Sequence, residues 1–225
     1  MTDEREAPAA RVGRFHVITD EKLQSRFSHG EIARLAVRGG ADTVQYREKR
    51  PLLTRELVAA AREVADACRD GGAVCIVDDR ADVALAVAAA GVHVGRDDIG
   101  VTVARRLLGD GFLVGGTANS LEEARSVFAG PLDYIGVGPI FGTNSKANPA
   151  PVMGLETLHR IAAESPVPVI AIGNISPDRI ADVLGAGAFG VAVLSGVTCS
   201  TDPRAAAAEY RERINAYLKD AGVTS

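Results

Sequence analysis

Three scarcities bound what this chain of 225 residues can be. Cysteine is scarce. There are 3, Cys68, Cys75 and Cys199, an odd number with no Cys-x-x-Cys spacing. Cys68 and Cys75 sit in apolar patterns, as core residues do. That argues against a disulfide framework and against structural zinc. Positive charge is not in excess either. The formal net charge is -4, which speaks against a broad nucleic-acid-binding face while leaving room for a local basic pocket. Long apolar runs are missing, so no segment is expected to span a bilayer. Residues 1–11 are charged and rich in Ala and Pro, without the apolar centre of a signal peptide. The expectation is a cytoplasmic protein with no nucleic-acid partner and no membrane partner. Nothing resembles an appended basic helix or a low-complexity tail.

Apolar residues are plentiful, at 47% of the chain, enough for a full core. They fall in short runs alternating with helical patterns. Strands are predicted over 15–19, 43–46, 73–77, 91–94, 112–115, 134–137, 167–172 and 190–194. Helices are predicted over 28–38, from Thr54 as a cap to the Gly71-Gly72 stop, and over 81–90, 101–108, 121–128, 155–163, 177–184 and 204–218. The strands are apolar throughout, as in a parallel sheet buried on both faces. Eight such units fit an α/β fold of the (β/α)₈ barrel kind in a single domain over residues 13–220. Residues 1–12 and 221–225 are expected to be tails. A doubly wound open sheet is the alternative. It would need a Gly-x-Gly-x-x-Gly after the first strand, where Thr19-Asp20-Glu21 stands.

One stretch organises the rest. Residues 133–154 open as a strand and then run through Gly, Pro, Thr, Asn and Ser for longer than an ordinary connection. Thr143, Ser145 and Lys146 place two hydroxyls and an ammonium within four residues, a set suited to phosphate oxygens. A solvated surface loop is the competing reading. In a barrel, chemistry collects at the C-terminal strand ends. Those ends carry Gln45, Arg47, Glu48 and Lys49 after the second strand and Asp78, Asp79 and Arg80 after the third. Asp97 and Asp98 follow the fourth, Thr117 and Asn119 the fifth. Gly173 and Asn174 follow the seventh, and Ser195 and Gly196 the eighth. Arg47, Lys49 and Lys146 are cations able to converge on a polyanion. Asp79 and Asp98 are hard oxygen donors, and magnesium commonly takes one or two carboxylates beside substrate phosphates. The mouth therefore reads as holding a metal-bound pyrophosphate and a monophosphate, the latter on backbone N–H groups after strands seven and eight.

Structural alternatives stand beside these readings. Asp79 is a candidate cap of the next helix, and Asp97 and Asp98 are candidate turn residues. Glu48 is expected to pair with Arg47 or Lys49. His93 is expected to be a hydrogen-bonded core residue, while His16, His29 and His159 have no assignable partner. Arg96 is expected to face solvent.

Several segments resemble one known family, thiamine phosphate synthase. They are Gln45-Tyr46-Arg47-Glu48-Lys49, residues 78–85, residues 91–95 with Asp98, residues 115–119, residues 133–141, Thr143-Asn144-Ser145-Lys146, residues 151–155 and residues 169–173. The resemblance implies a (β/α)₈ barrel that needs Mg2+. It implies the coupling of hydroxymethylpyrimidine pyrophosphate to hydroxyethylthiazole phosphate, with release of pyrophosphate. By motif, Gln45, Arg47 and Lys49 look like contacts to the pyrimidine pyrophosphate, Asp79 and Asp98 like metal ligands, and Lys146 like the pyrophosphate lysine. Thr117 stands near the pyrimidine. Thr143 and Ser145 look like thiazole-phosphate contacts, joined by backbone groups of Asn174, Leu194 and Ser195. Glu48, Asp78, Asn144 and Gly173 complete the expected substrate-binding set. A homo-oligomer is compatible with the resemblance.

The sequence also departs from the family pattern. Asp78 stands where Asn is usual, so it is expected to join the magnesium shell through water or to pair with Arg80, Lys49 or another base. Asn174 replaces the second Gly of a usual Gly-Gly-Ile, and tolerates a left-handed backbone. Asn119 replaces a frequent His, which counts against the related thiazole tautomerase. A barrel that binds a phosphorylated thiazole without coupling remains the alternative function, and a non-enzymatic phosphate-binding regulator the third.

Overall fold

The computed structural model describes residues 12–143 and 150–223. Its chain order is β1 (Phe15–Thr19), α1 (His29–Arg38), β2 (Thr43–Tyr46), α2 (Thr54–Gly71), β3 (Val74–Asp78), α3 (Ala81–Ala86), β4 (Gly91–Val94) and α4 (Val101–Leu108). It continues with β5 (Leu113–Ala118), α5 (Leu121–Phe128), β6 (Tyr134–Val137), α6 (Gly154–Glu164) and β7 (Val169–Ile172). A 3₁₀ turn (Pro177–Arg179), α7 (Ile180–Gly185), β8 (Gly190–Val193), α8 (Ser195–Thr198) and α9 (Pro203–Asp220) complete it. The eight strands are parallel neighbours in sequence order, and β8 pairs with β1 to close the barrel. The expected (β/α)₈ architecture is the one observed.

Strand alternation divides the core in two. From β1, Phe15 and Val17 point outward into the large layer between sheet and helices. Ile18 points inward, where it meets Tyr134, Ile170 and Ala192. The interior turns polar toward the C-terminal end, so apolar packing forms the floor on which the site sits. At the opposite end Asp42 accepts hydrogen bonds from the N–H groups of Arg14 (3.1 Å) and Phe15 (2.9 Å) and pairs with Arg211 (2.6 Å). This ties the first strand to the last helix.

Several element bounds differ from expectation, each for a local reason. β5 runs on to Ala118 because Gly116 is paired with both β4 and β6, and Thr117 and Ala118 continue the ladder with β6. Thr117 is therefore a strand residue. α3 ends at Ala86, and Ala88 takes a left-handed φ of 51°. Thr54 is the first residue of α2 and not its cap. Leu53 holds the cap position, and its N–H donates to Glu56 at 2.8 Å. The four residues of α8 were not expected, being too short for a periodic pattern.

Candidate active site

A cavity of about 860 Å³ opens at the C-terminal end of the barrel. Gln45, Arg47 and Lys49 reach it from the end of β2, because alternation along the strand continues into the loop. Asp78, Asp79 and Asp98 face them from the ends of β3 and β4. Thr117 and Thr143 line another side, and Gly173, Asn174, Leu194 and Ser195 line the side formed after β7 and β8. Asn144, Ser145 and Lys146 lie outside the described residues.

The cations and carboxylates interleave. Arg47 pairs with Asp20 and lies 3.7 Å from Asp78. Lys49 lies 3.0 Å from Asp78 and also pairs with Asp79. Gln45 donates to Asp78 at 2.5 Å. Asp78 thus pairs with Lys49, as expected, while Arg80 turns away to Asp82 (2.6 Å). Burial pushes the Asp78 carboxyl upward, and neighbouring Asp79 adds to this against the pull of Lys49. For Lys49 burial acts downward, but Asp78 and Asp79 outweigh it and hold the ammonium above its ordinary value.

Asp79 and Asp98 form a second kind of contact. Asp79 has a left-handed φ of 62°. The α3 cap position belongs to Arg80, which makes no side-chain cap bond. Asp79 is therefore no helix cap. Burial pushes Asp98 up to about 6, aided by its hydrogen bond with Asp79. Burial acts on Asp79 in the same sense, but Asp98 and Lys49 outweigh it and hold Asp79 low. Asp98 also accepts the N–H of Gly95 at 2.8 Å.

Glu48 departs from expectation. It pairs with neither Arg47 nor Lys49, and its side chain points to the outer face of β2. There it meets Arg50 and lies 3.1 Å from His29 Nε2. His29, left without a partner from sequence, fills that place. Among the described residues, Glu21, His29 and Glu48 bring ligand atoms within 4.8 Å of one another. The Arg50 guanidinium already occupies their midst, 2.7 Å from Glu21.

His93 is hydrogen-bonded as expected, at 3.1 Å to the Tyr134 hydroxyl and 2.8 Å to Thr117 Oγ1. It also borders the cavity, which sequence reading did not anticipate. Arg96 lies at the cavity rim, 3.5 Å from Glu123. Asp20 was missed altogether. It is 1% exposed, and follows His16 and Ile18 in the inward-facing register, a signal the sequence did contain.

The β7 side has little side-chain charge and much shaped backbone. Gly173 has a φ of 115° and Asn174 one of 50°. A methyl group on Gly173 would overlap Pro139, so the turn needs glycine there for contact as well as conformation. Tyr210 donates from its hydroxyl to the Ile175 carbonyl at 2.9 Å, holding this turn against α9.

Residues 15–197 match the family described as thiamine monophosphate synthase. The chain belongs to that family. A thiamine-phosphate synthase of Salinibacter ruber is 46% identical over 210 residues, covering 93% of this chain and 92% of the relative. A thiamine-phosphate synthase of Chloroflexus aurantiacus is 45% identical over 202 residues, covering 90% and 93%. The solved thiamine phosphate pyrophosphorylase of Pyrococcus furiosus superposes with a TM-score of 0.83 at 36% identity, over 91% of this chain and 96% of that one. Membership of the thiamine monophosphate synthase family thus extends over nearly the whole barrel, including every strand end that borders the cavity.

Proposed function

We propose that this protein joins hydroxymethylpyrimidine pyrophosphate to hydroxyethylthiazole phosphate, giving thiamine phosphate and pyrophosphate. One observation carries the reading: a single cavity sets Arg47, Lys49, Asp79 and Asp98 opposite the turn at Gly173-Asn174 and the start of α8. The first group suits a pyrophosphate, and the second suits a phosphate held on backbone N–H groups. Residues 13–220 form the domain to which the activity is assigned. Cys68, Cys75 and Cys199 are free thiols, in keeping with a reducing cytoplasm. No helix among the described residues is long and apolar enough to cross a membrane.

In the proposed reaction the bond between the pyrimidine methylene and the pyrophosphate oxygen breaks, and the electron pair leaves with pyrophosphate. The amino group of the pyrimidine stabilises the carbon cation, which the thiazole nitrogen then attacks. Arg47, Lys49 and Lys146 stabilise the charge gathering on the leaving group. Gln45 and Thr117 orient the pyrimidine. Thr143, Asn144, Ser145, Gly173, Asn174, Leu194 and Ser195 bind the thiazole phosphate. No side chain is needed as nucleophile.

The donor set fits magnesium. Asp79 and Asp98 are hard oxygen donors, and their mutual repulsion, which helps to raise the Asp98 carboxyl, is relieved by a divalent cation placed between them. Bound there, magnesium supplies Lewis-acid stabilisation of the leaving pyrophosphate. Five carboxylates, from Asp20, Asp78, Asp79, Asp97 and Asp98, line the cavity beside four cations, Lys22, Arg47, Lys49 and Arg96, so the carboxylates are not outnumbered where a divalent ion would sit.

The test is incubation with both substrates and magnesium, followed by mass detection of thiamine phosphate. No product across a series of divalent metals would overturn the reading. Conversion of a phosphorylated thiazole alone, without coupling, would favour the tautomerase-like alternative.

A further inference from the structure

Between the end of β2 and the start of α2 the chain runs without regular structure from Arg47 to Leu53. Within it one backbone bond recurs, Leu52 N–H to the Arg50 carbonyl at 2.9 Å. Yet this segment presents the two cations that the proposed function assigns to pyrophosphate. Something else must hold their backbone.

Glu48 sits between them in sequence and points the other way. Its side chain is 1% exposed. One carboxylate oxygen accepts the Arg50 N–H at 2.7 Å. The other accepts Arg50 Nε at 2.9 Å and lies 3.1 Å from His29 Nε2. Arg50 reaches on to Glu21 at 2.7 Å, and Glu21 accepts the His29 N–H at 2.8 Å. His29 Nδ1 lies 2.7 Å from Thr19 Oγ1, and the His29 ring stands edge-on to Tyr46 at 4.7 Å. One carboxylate therefore ties the loop to the end of β1, the first turn of α1 and the outer face of β2. Burial acts to raise the Glu48 carboxyl, but the bonds from Arg50 and His29 outweigh it and hold it at about 2. It is thus ionised and an acceptor only.

We propose that Glu48 is a positioning residue, which through His29, Arg50 and Glu21 fixes the loop so that Arg47 and Lys49 stand at the pyrophosphate position. This rests on the reading of those two cations given above. Misplacement of a binding group by about 1 Å can cost on the order of 10²-fold in rate, so a buried anchor on the far face of the loop has a functional consequence. The sign of the effect separates positioning from simple charge. Glu48→Gln removes a negative charge near a polyanion site. Coulomb's law alone would then tighten pyrophosphate binding. Loss of the anchor weakens it.

The experiment is calorimetric titration of the whole protein with inorganic pyrophosphate in magnesium chloride, with steady-state kinetics and thermal melting in parallel. Glu48→Gln is expected to weaken pyrophosphate binding about tenfold and to raise KM for the pyrimidine substrate similarly, with KM for the thiazole phosphate unmoved. Arg50→Lys keeps the net charge but loses the planar grip on two carboxylates. It is expected to weaken pyrophosphate binding roughly fivefold. Arg50 is 37% exposed, so this variant serves if Glu48→Gln does not fold. Binding within twofold of the parent, or tighter, in both variants overturns the proposal. So does a parallel rise in both KM values with a fall in Tm, the mark of a structural role alone. Lys49→Ala is the control. If it loses pyrophosphate affinity while Glu48→Gln does not, the positioning role alone fails. If Lys49→Ala binds pyrophosphate as the parent does, the reading of the cation fails and the proposal with it.

Discussion

The ammonium of Lys49 lies 3.0 Å from a carboxylate oxygen of Asp78. The carboxylate that departs from the family pattern is thus compensated inside the site, and by a residue assigned to the substrate. Asp78→Asn keeps an oxygen to accept the Gln45 amide while freeing Lys49 from one of its two anionic partners. Turnover is expected to stay within about tenfold, a barrier change of no more than about 1.4 kcal/mol. Pyrophosphate affinity is expected to hold or rise. Steady-state kinetics with product inhibition by pyrophosphate checks both. A fall of several orders of magnitude would make the carboxylate a required ligand or base.

Asp98→Ala removes one partner of the Asp79–Asp98 contact. Turnover is expected to drop by roughly 10²-fold, since metal stabilisation of a developing charge is worth several kcal/mol. The dependence of rate on magnesium concentration should shift to higher concentration at the same time. Unchanged rate and unchanged magnesium response would remove Asp98 from the assignment.

Gly115→Ala tests the chain from Tyr134 through His93 to Thr117. An added methyl at 115 would overlap the Tyr134 ring, which is fully enclosed in the barrel floor. Overpacking of this kind typically costs about 1–3 kcal/mol. Tm is expected to fall, and KM for the pyrimidine substrate to rise as Thr117 loses its fixed partner. Melting curves and kinetics on the same preparation decide. A variant equal to the parent in both would show that the floor yields without effect on the site.

His16 gives a pH dependence. Burial outweighs the opposing pull of Asp42 and lowers its imidazole from 6.5 to about 4. The folded state therefore binds a proton less readily than the unfolded state. Its contribution to stability is fully present above pH 6.5 and is lost as pH falls toward 4, on the order of 3 kcal/mol across that window. Denaturant melts between pH 7 and pH 4 should show a decline that flattens in His16→Gln. An equal slope in both proteins would place the decline elsewhere.

The architecture was legible because eight apolar strands alternate with helical spacing, and parallel strands buried on both faces need no finer signal. The cavity set was legible because barrel topology sends strand ends to one mouth. Partners were harder to read. Alternation tells which face Glu48 occupies, but its meeting with His29 and Arg50 depends on how the loop after β1 folds back, which no local pattern encodes. Asp20 was readable from the inward register of His16 and Ile18, yet it sits one residue past the strand and looks like loop. The extension of β5 through Gly116 and Thr117 overrides weak strand propensity, since ladders on both sides at Gly116 and the β6 ladder beyond it decide it. Arg96 faces solvent as expected, but nothing in its neighbours marks that it does so at the rim of a cavity.

Barrel closure sets a condition on synthesis. The guanidinium of Arg14 bonds to the carbonyl of Phe189 across a separation of 175 residues, and β1 takes its second neighbour only from β8. On a ribosome adding about 5–20 residues per second, the first strand emerges on the order of ten to thirty seconds before the strand that covers its other edge. Throughout that interval the edge of β1 that pairs with β8 has no native partner. The last strand of the barrel to be translated is thus the one that seals the first.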